Sequence, residues 1–321
     1  MDARLHEDHT RDEARSVKAQ KAELPLYVTR LKVYPRAIVG KWRTIKWSVL
    51  VTLLGIYYLV PWLRWDRGPD APSQAILLDL DGRRGWIFDI VIWPQEVYFV
   101  TGFLILGAIG LFLATSLFGR VWCGFACPQT VWTDLFMLVE RLIEGDRNER
   151  MRADRGPMSV ARAARKALKQ LVWIVFALWT GLSFVGFFAP IGQITHSLFS
   201  LELGGWALFW VLFYGTATYA NAGYMREQVC KYMCPYARFQ SAMFDKDTMI
   251  VSYDVQRGEA RGPRRKDVDY KAQGLGDCID CKLCVQVCPV GIDIRKGLQY
   301  ECIGCGLCID ACNSVMDKME Y

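Results

Sequence analysis

The sequence predicts a mainly α-helical fold: a polytopic membrane bundle of four transmembrane helices, arranged as two parallel hairpin repeats, followed by a small cysteine-framed domain. Three observations predict it. Long uncharged apolar runs recur four times, basic residues are segregated into particular connecting segments, and eight of the 12 cysteines fall in one duplicated motif near the C-terminus.

The chain has 321 residues, of which 52% are hydrophobic and 13% aromatic, yet 22% are charged. High apolar content together with ordinary charge fits a chain in which the two are separated along the sequence. A helix needs about 20 apolar residues to cross about 30 Å of hydrocarbon. Trp47–Leu63, Val97–Phe118, Leu171–Ala189 and Leu203–Tyr224 are uncharged throughout and serve as the four expected spans. A soluble protein would have to bury four such runs at once.

Orientation follows from lysine and arginine placement. Arg30, Lys32, Arg36, Lys41, Arg43 and Lys46 precede the first span, and ten basic residues lie between Arg120 and Lys169. The stretch from Pro190 to Glu202 has none, and Arg64 to Glu96 has four against six acidic residues. Both termini and the middle segment are therefore expected in the cytoplasm of a multi-pass membrane protein. The net charge of +6 reflects this topology, and a nucleic-acid partner is not expected. No cleavable signal peptide is recognised. Residues 1–43 read as a charged cytoplasmic tail, disordered at its start, 44–253 as the membrane domain, 254–276 as a polar linker and 277–321 as the cysteine domain.

From Cys278 the sequence reads CIDCKLCVQVCP, and from Cys302 CIGCGLCIDACN. Each is C-x2-C-x2-C-x3-C, the spacing by which a loop wraps three thiolates around one [4Fe–4S] cubane and sends the fourth to its neighbour. Cluster one is then assigned Cys278, Cys281, Cys284 and Cys312, and cluster two Cys302, Cys305, Cys308 and Cys288. Zinc would use four ligands in C-x2-C pairs, and a disulfide module is excluded by the reducing compartment. A segment this short draws its stability from the clusters. The expected domain is a bacterial-type 2[4Fe–4S] ferredoxin.

The four remaining cysteines form two C-x3-C-P motifs, Cys123/Cys127 and Cys230/Cys234, each following an even-numbered span and 107 residues apart. Both pairs are expected at the cytoplasmic membrane surface, brought face to face by the hairpin repeat. Pro128 and Pro235 suit the first position of a helix, and QTVWTDLFMLVERLIEG after Pro128 has the spacing of an interfacial amphipathic helix. A helix N-terminus at each pair would favour thiolate. The alternatives are inert buried thiols, a redox dithiol and a metal site, of which a metal site fits two matched pairs best. Soft sulfur suits Cu(I) or a third iron–sulfur cluster, and spacing does not separate these. Histidine is confined to His6, His9 and His196, which argues against bis-histidine haem. Asp89 and Glu96 would be the proton acceptors of an outer quinol pocket, for which no distinctive residue speaks. Arg261, Arg264, Arg265 and Lys266 read as a solvated basic stretch.

GRVWCGFACPQTVW, ERLIEGDR, CKYMCPYARFQSAMFD, the duplicated cysteine run and the closing SVMDKMEY together resemble the CcoG/FixG/RdxA family of cytochrome c oxidase accessory proteins, from about Leu31 to Tyr321. The resemblance implies an inner-membrane polyferredoxin that reduces Cu(II) to Cu(I) for assembly of cbb-type cytochrome c oxidases. By it, Cys123, Cys127, Cys230 and Cys234 handle copper or relay electrons. The implied partners are copper ions, copper chaperones or transporters, oxidase assembly factors, the lipid bilayer and an unidentified electron donor. Family members usually continue into a further transmembrane helix and a β-sandwich domain, whereas this sequence stops at Tyr321. The competing readings are a quinol-linked subunit of an anaerobic respiratory pathway and a Cu(I) metallochaperone with structural clusters.

Overall fold

In the computed structural model the chain separates into two units, Met1–Val33 and Tyr34–Tyr321. The structure describes residues 32–69, 71–266 and 269–321. Residues 1–31 of the expected tail, with His6 and His9, lie outside the described residues; of the rest, Ala37 N donates to Asp146 Oδ1 at 3.1 Å and Lys41–Arg43 already belong to the first helix, so the tail is shorter than expected.

The second unit is mainly helical. Helix α1 (Lys41–Leu59) ends in a 3-10 turn at Val60–Trp62. A three-stranded antiparallel sheet comes next, in the order β1 (Ile76–Asp79), β2 (Arg84–Ile87) and β3 (Ile90–Ile92). Then come α2 (Val97–Phe118), the short α3 (Val121–Phe125), α4 (Pro128–Glu144), α5 (Arg147–Arg155) and α6 (Val160–Val185). The chain continues through α7 (Ile191–Phe199), α8 (Gly205–Thr218), α9 (Pro235–Ala242) and a single turn α10 (Val255–Gly258). Helices α11 (Leu283–Val287) and α12 (Leu307–Met319) complete it.

Three helical stretches are long and apolar enough to cross a membrane: Lys41–Trp62, Pro94–Phe118 and Val160–Val185. They correspond to the first three expected spans. In α2 only Thr115 is buried, as suits a helix whose surroundings are lipid rather than protein. The fourth expected span differs. Its α-helical part is 14 residues, about 21 Å at 1.5 Å per residue. The remainder, Tyr219–Met225, widens into a π-helix. Close packing against α6 accompanies the change. A Cβ on Gly181 would lie 2.3 Å from the Val211 carbonyl oxygen, and one on Gly223 would meet the Trp173 ring at 3.3 Å. Glycine allows backbones to approach where side chains would hold them apart.

The sheet occupies one end of the bundle. Gln74 is 1% exposed; its Nε2 donates to the Ile76 and Gly186 carbonyls and its Oε1 accepts from the Ile191 amide. Leu78 N donates to Phe187 O at 2.8 Å. The C-terminal ends of α1 and α6 therefore share a cap, and the cysteine domain sits at the opposite end, against the start of α1.

Helix α4 corrects the expectation of an interfacial helix. Its polar residues face buried cations instead of water. Asp134 pairs with Lys46 at 3.0 Å and Arg43 at 3.3 Å. Glu140, 1% exposed, takes Arg150 and Arg226 at 2.9 Å each and Lys169 at 3.7 Å. The apolar face packs Phe136 and Val139 on Trp173, Ala177 and Ala222. Burial alone would raise the Glu140 carboxyl, but Arg226, Arg150 and Lys169 overcome it and hold it below the usual range.

Glu140→Gln leaves these cations buried without their anion, and a loss of about 3–5 kcal/mol is expected in denaturation of the detergent-solubilised protein. Because the folded carboxyl is depressed, its contribution is present above the unfolded value. The wild type should lose that stability as pH falls below about 4, and the Gln variant should lack this component of the acid transition.

Candidate metal centres

The two cysteine runs fold as matched loops. In each, the residue before and the residue after the second cysteine is left-handed: Asp280 and Lys282 in the first copy, Gly304 and Gly306 in the second. These reversals wrap the loop inward and start α11 and α12 directly after Lys282 and Gly306. One cavity is lined by Cys278, Cys281, Cys284, Cys308 and Cys312. A second is lined by Cys284, Cys288, Cys302, Cys305 and Cys308. Cys312 lines the first of these cavities and Cys288 the second, while Cys284 and Cys308 line both. Burial pushes the Cys284 and Cys288 thiols up to about 11 each, and burial with neighbouring thiols raises Cys308. Crowded, dehydrated sulfurs of this kind fit [4Fe–4S] cubanes, which take the thiolate form and spread its charge over iron.

The two C-x3-C-P loops are also alike. Cys127 and Cys234 are extended residues at the N-caps of α4 and α9, with Pro128 and Pro235 at N1. Each closes by a hydrogen bond from the cysteine amide to a carbonyl five residues back, Cys127 N to Trp122 O at 2.9 Å and Cys234 N to Val229 O at 2.8 Å. Gln129 Nε2 bridges the segments by donating to Asn221 O at 3.0 Å and Arg226 O at 3.1 Å.

The four thiols lie within electrostatic reach of one another: Cys123 is influenced by Cys127 and Cys234, and Cys230 by all three others. Burial pushes Cys123 up to about 11 and Cys230 up to about 12, and it also raises Cys127. Burial thus works against the thiolate form that the helix N-terminus at Cys127 favours. Among the described residues no three His, Cys, Asp or Glu side chains converge closely enough to share one ion. The quartet is gathered without being closed on a single-ion geometry.

The two kinds of site meet directly. Cys123 lies in one apolar cluster with Val287, Val290, Ile303, Cys305 and Leu307. A Cβ on Gly124 would lie 2.7 Å from the Ile303 carbonyl oxygen and 3.1 Å from the Cys305 amide nitrogen. Backbone thus touches backbone between the first membrane cysteine pair and a loop of cluster two.

Several neighbours of these sulfurs were not singled out by sequence reasoning. Arg120 donates to the Tyr300 and Cys302 carbonyls, and Gln240 accepts from Cys123 Sγ at 2.9 Å. Residues lining the first cavity include Val251–Asp254, Arg257 and Gly258, at the start of the expected linker, and Gly262 N donates to Cys278 O at 3.2 Å. Of the basic stretch, Arg264 donates to Gly276 O and stacks on Tyr270, while Lys266 pairs with Glu320. Asp89 accepts from the Trp65 indole and Glu96 from the Trp93 amide.

Fold and site together define an iron–sulfur electron-transfer protein with membrane helices. Residues 225–321 match a family described as a 4Fe-4S dicluster domain, and residues 100–144 match a 4Fe-4S binding domain. The chain is 48% identical over 320 residues to the nitrogen fixation protein FixG of Rhizobium meliloti, covering 98% of this chain and 61% of that protein. It is 51% identical to protein RdxA and 49% to protein RdxB of Cereibacter sphaeroides, each over 92% of this chain and about three-fifths of theirs. No solved structure matches. Over the length it spans, about three-fifths of these relatives, the chain is a member of the FixG/RdxA family.

Crossed ligation has a direct check. Cys278→Ser and Cys312→Ser, singly or together, should each remove the same cubane and leave about four irons of eight, measured by iron analysis and electron paramagnetic resonance. Loss of both clusters in the double variant would mean uncrossed ligation. Gly124→Ala should separate the domains and cost about 1–3 kcal/mol in thermal unfolding.

Proposed function

We propose that the chain carries out one-electron reduction of Cu(II) to Cu(I) at the inner membrane, supplying Cu(I) for assembly of cbb-type cytochrome c oxidase. The observation that carries this reading is the contact between Gly124 and Ile303–Cys305, which joins a thiol pair suited to Cu(I) to a cluster-binding loop. Bound at the two crossed quartets, [4Fe–4S] cubanes supply single electrons. The rest of the work belongs to the chain. Cys123, Cys127, Cys230 and Cys234 bind the copper substrate, losing protons as they do so, and their sulfur favours its reduced form. The balance is one electron per copper ion, with the thiols themselves not oxidised.

In this reading residues 205–225 make a fourth crossing, the paired hairpins repeat about an axis along the membrane normal, and both termini and the ferredoxin domain face the cytoplasm. The basic residues of α5 and the first turns of α6 support that side by the positive-inside rule. Copper chaperones or transporters and oxidase assembly factors would receive the product, and the electron donor is a separate protein or small reductant. A second reading has a specific observation behind it: the match of residues 100–144 to a 4Fe-4S binding domain includes Cys123 and Cys127, which favours a third cluster at the same four thiols.

Metal quantification of the wild type and of a variant with serine at Cys123, Cys127, Cys230 and Cys234 tests the proposal. About eight irons in both, with copper bound only by the wild type, is the expected result. A fall from about twelve irons to eight would establish the third cluster instead. About eight irons in both together with equal copper binding would overturn both readings of the thiols.

A further inference from the structure

Arg120, just beyond the end of α2, is 4% exposed. Its Nε donates to Gln240 Oε1 at 3.2 Å, and its Nη1 donates to the Cys302 carbonyl at 3.2 Å and to that of Tyr300. Its Nη2 is buried with no hydrogen-bond partner. Among the described residues no carboxylate pairs with it. A buried guanidinium without an anion is strongly disfavoured, so the fold retains it only where negative charge is supplied nearby.

The groups around it that can carry such charge are sulfurs. It holds the backbone carbonyl of Cys302 in the cluster-two quartet, and it shares the Gln240 Oε1 acceptor with Cys123 Sγ in the membrane quartet. Gln240 accepts from both Arg120 Nε and Cys123 Sγ and donates to Thr115 Oγ1 at 3.2 Å. The arginines beside cluster one are arranged differently. Arg257, near Cys312, pairs with Asp277 at 2.5 Å, and Arg295, near Cys284, pairs with Asp293 at 2.7 Å and with Asp280. Their charge is cancelled locally, whereas that of Arg120 is not.

We infer that Arg120 is a shared counter-ion of the cluster-two quartet and the four membrane thiols, a positioning residue that stabilises added negative charge on either site. The inference rests on the crossed ligand sets of the two clusters. Burial disfavours the more negative, reduced form of a thiolate-ligated cluster. The unpaired guanidinium offsets that penalty where the sulfur is least exposed, at the junction of the two sites. Gln240 fixes the guanidinium against Cys123.

The test compares the wild type with Arg120→Gln, Arg120→Lys and Gln240→Glu by redox titration followed by electron paramagnetic resonance, using Cys312→Ser to assign the cluster-one signals. Arg120→Gln should lower the midpoint of cluster two with cluster one unmoved, and Arg120→Lys should largely restore it. Gln240→Glu sets a carboxylate against Arg120 without removing its donors, and should lower the same midpoint in an intact fold. Copper affinity of the membrane thiols, read by competition with a Cu(I) chelator, should fall about tenfold or more in Arg120→Gln, as for loss of other outer-shell partners. An unmoved cluster-two midpoint in Arg120→Gln and Gln240→Glu, or an equal shift of both clusters, would overturn the assignment. If Arg120→Gln fails to hold iron, Gln240→Glu decides. Iron-loaded wild type that does not reduce copper would sink the proposed activity without affecting this test, because the midpoints are read with no copper present.

Discussion

The Asp310 carboxylate accepts hydrogen bonds from the Trp42 and Arg43 amides, at 3.1 and 2.7 Å. Those amides are in the first turn of α1, where four N–H groups lack partners within the helix and the macrodipole presents partial positive charge. Asp310 itself stands on α12 between Cys308 and Cys312. The cap of a membrane helix is therefore supplied by the helix that carries the last two cysteines of the dicluster domain. The approach is close enough to require glycine on both sides. A Cβ on Gly40 would lie 2.3 Å from the Asp310 Cγ, and one on Gly306, whose φ is +71°, would meet the Trp42 ring at 2.7 Å. With this end fixed, the loop at Ile303–Cys305 is held over Gly124, and the two sulfur sites cannot move independently.

A second set of charges stiffens the thiol site from behind. Asp134 and Glu140 lie within two turns of each other on α4, whose N-cap is Cys127. Asp134 ties α4 to α1, and Glu140 ties it to α5, α6 and the segment just before Cys230. Both ends of the membrane quartet are thereby referred to one helix. Thr130 Oγ1, donating to the Cys123 carbonyl at 2.6 Å, fastens the first pair to the same support.

What the sequence reveals is what chemistry or solvent imposes locally. Thiolate spacing around a cubane is dictated by the loop itself, so the dicluster domain was legible, and the limits of α2 were legible because lipid imposes a continuous apolar run. Long-range partners leave no periodic signature. Asp310 reads as one more polar residue inside a cysteine motif, and Arg120 and Gln240 are 120 positions apart. The polar stripe of α4 has the same spacing whether it faces water or buried arginines, which is why it suggested an interfacial helix. The β1–β3 sheet was missed because its strands are only three or four residues long. The π-turn after Thr218 was hidden in an unbroken apolar run, although Gly215 and Gly223 marked close packing there.

If the membrane thiols and the cluster-bearing headpiece act as one redox unit, electrons held on the clusters must leave through the thiol site. The most direct test is anaerobic mixing of fully reduced protein with Cu(II), following the return of visible absorbance in the wild type and in the four-serine variant. Rapid reoxidation of the wild type is predicted, with one Cu(I) formed per electron lost, and a rate at least about tenfold lower in the variant. Equal rates in the two proteins would show that copper takes electrons without the thiols, and would contradict a single redox unit.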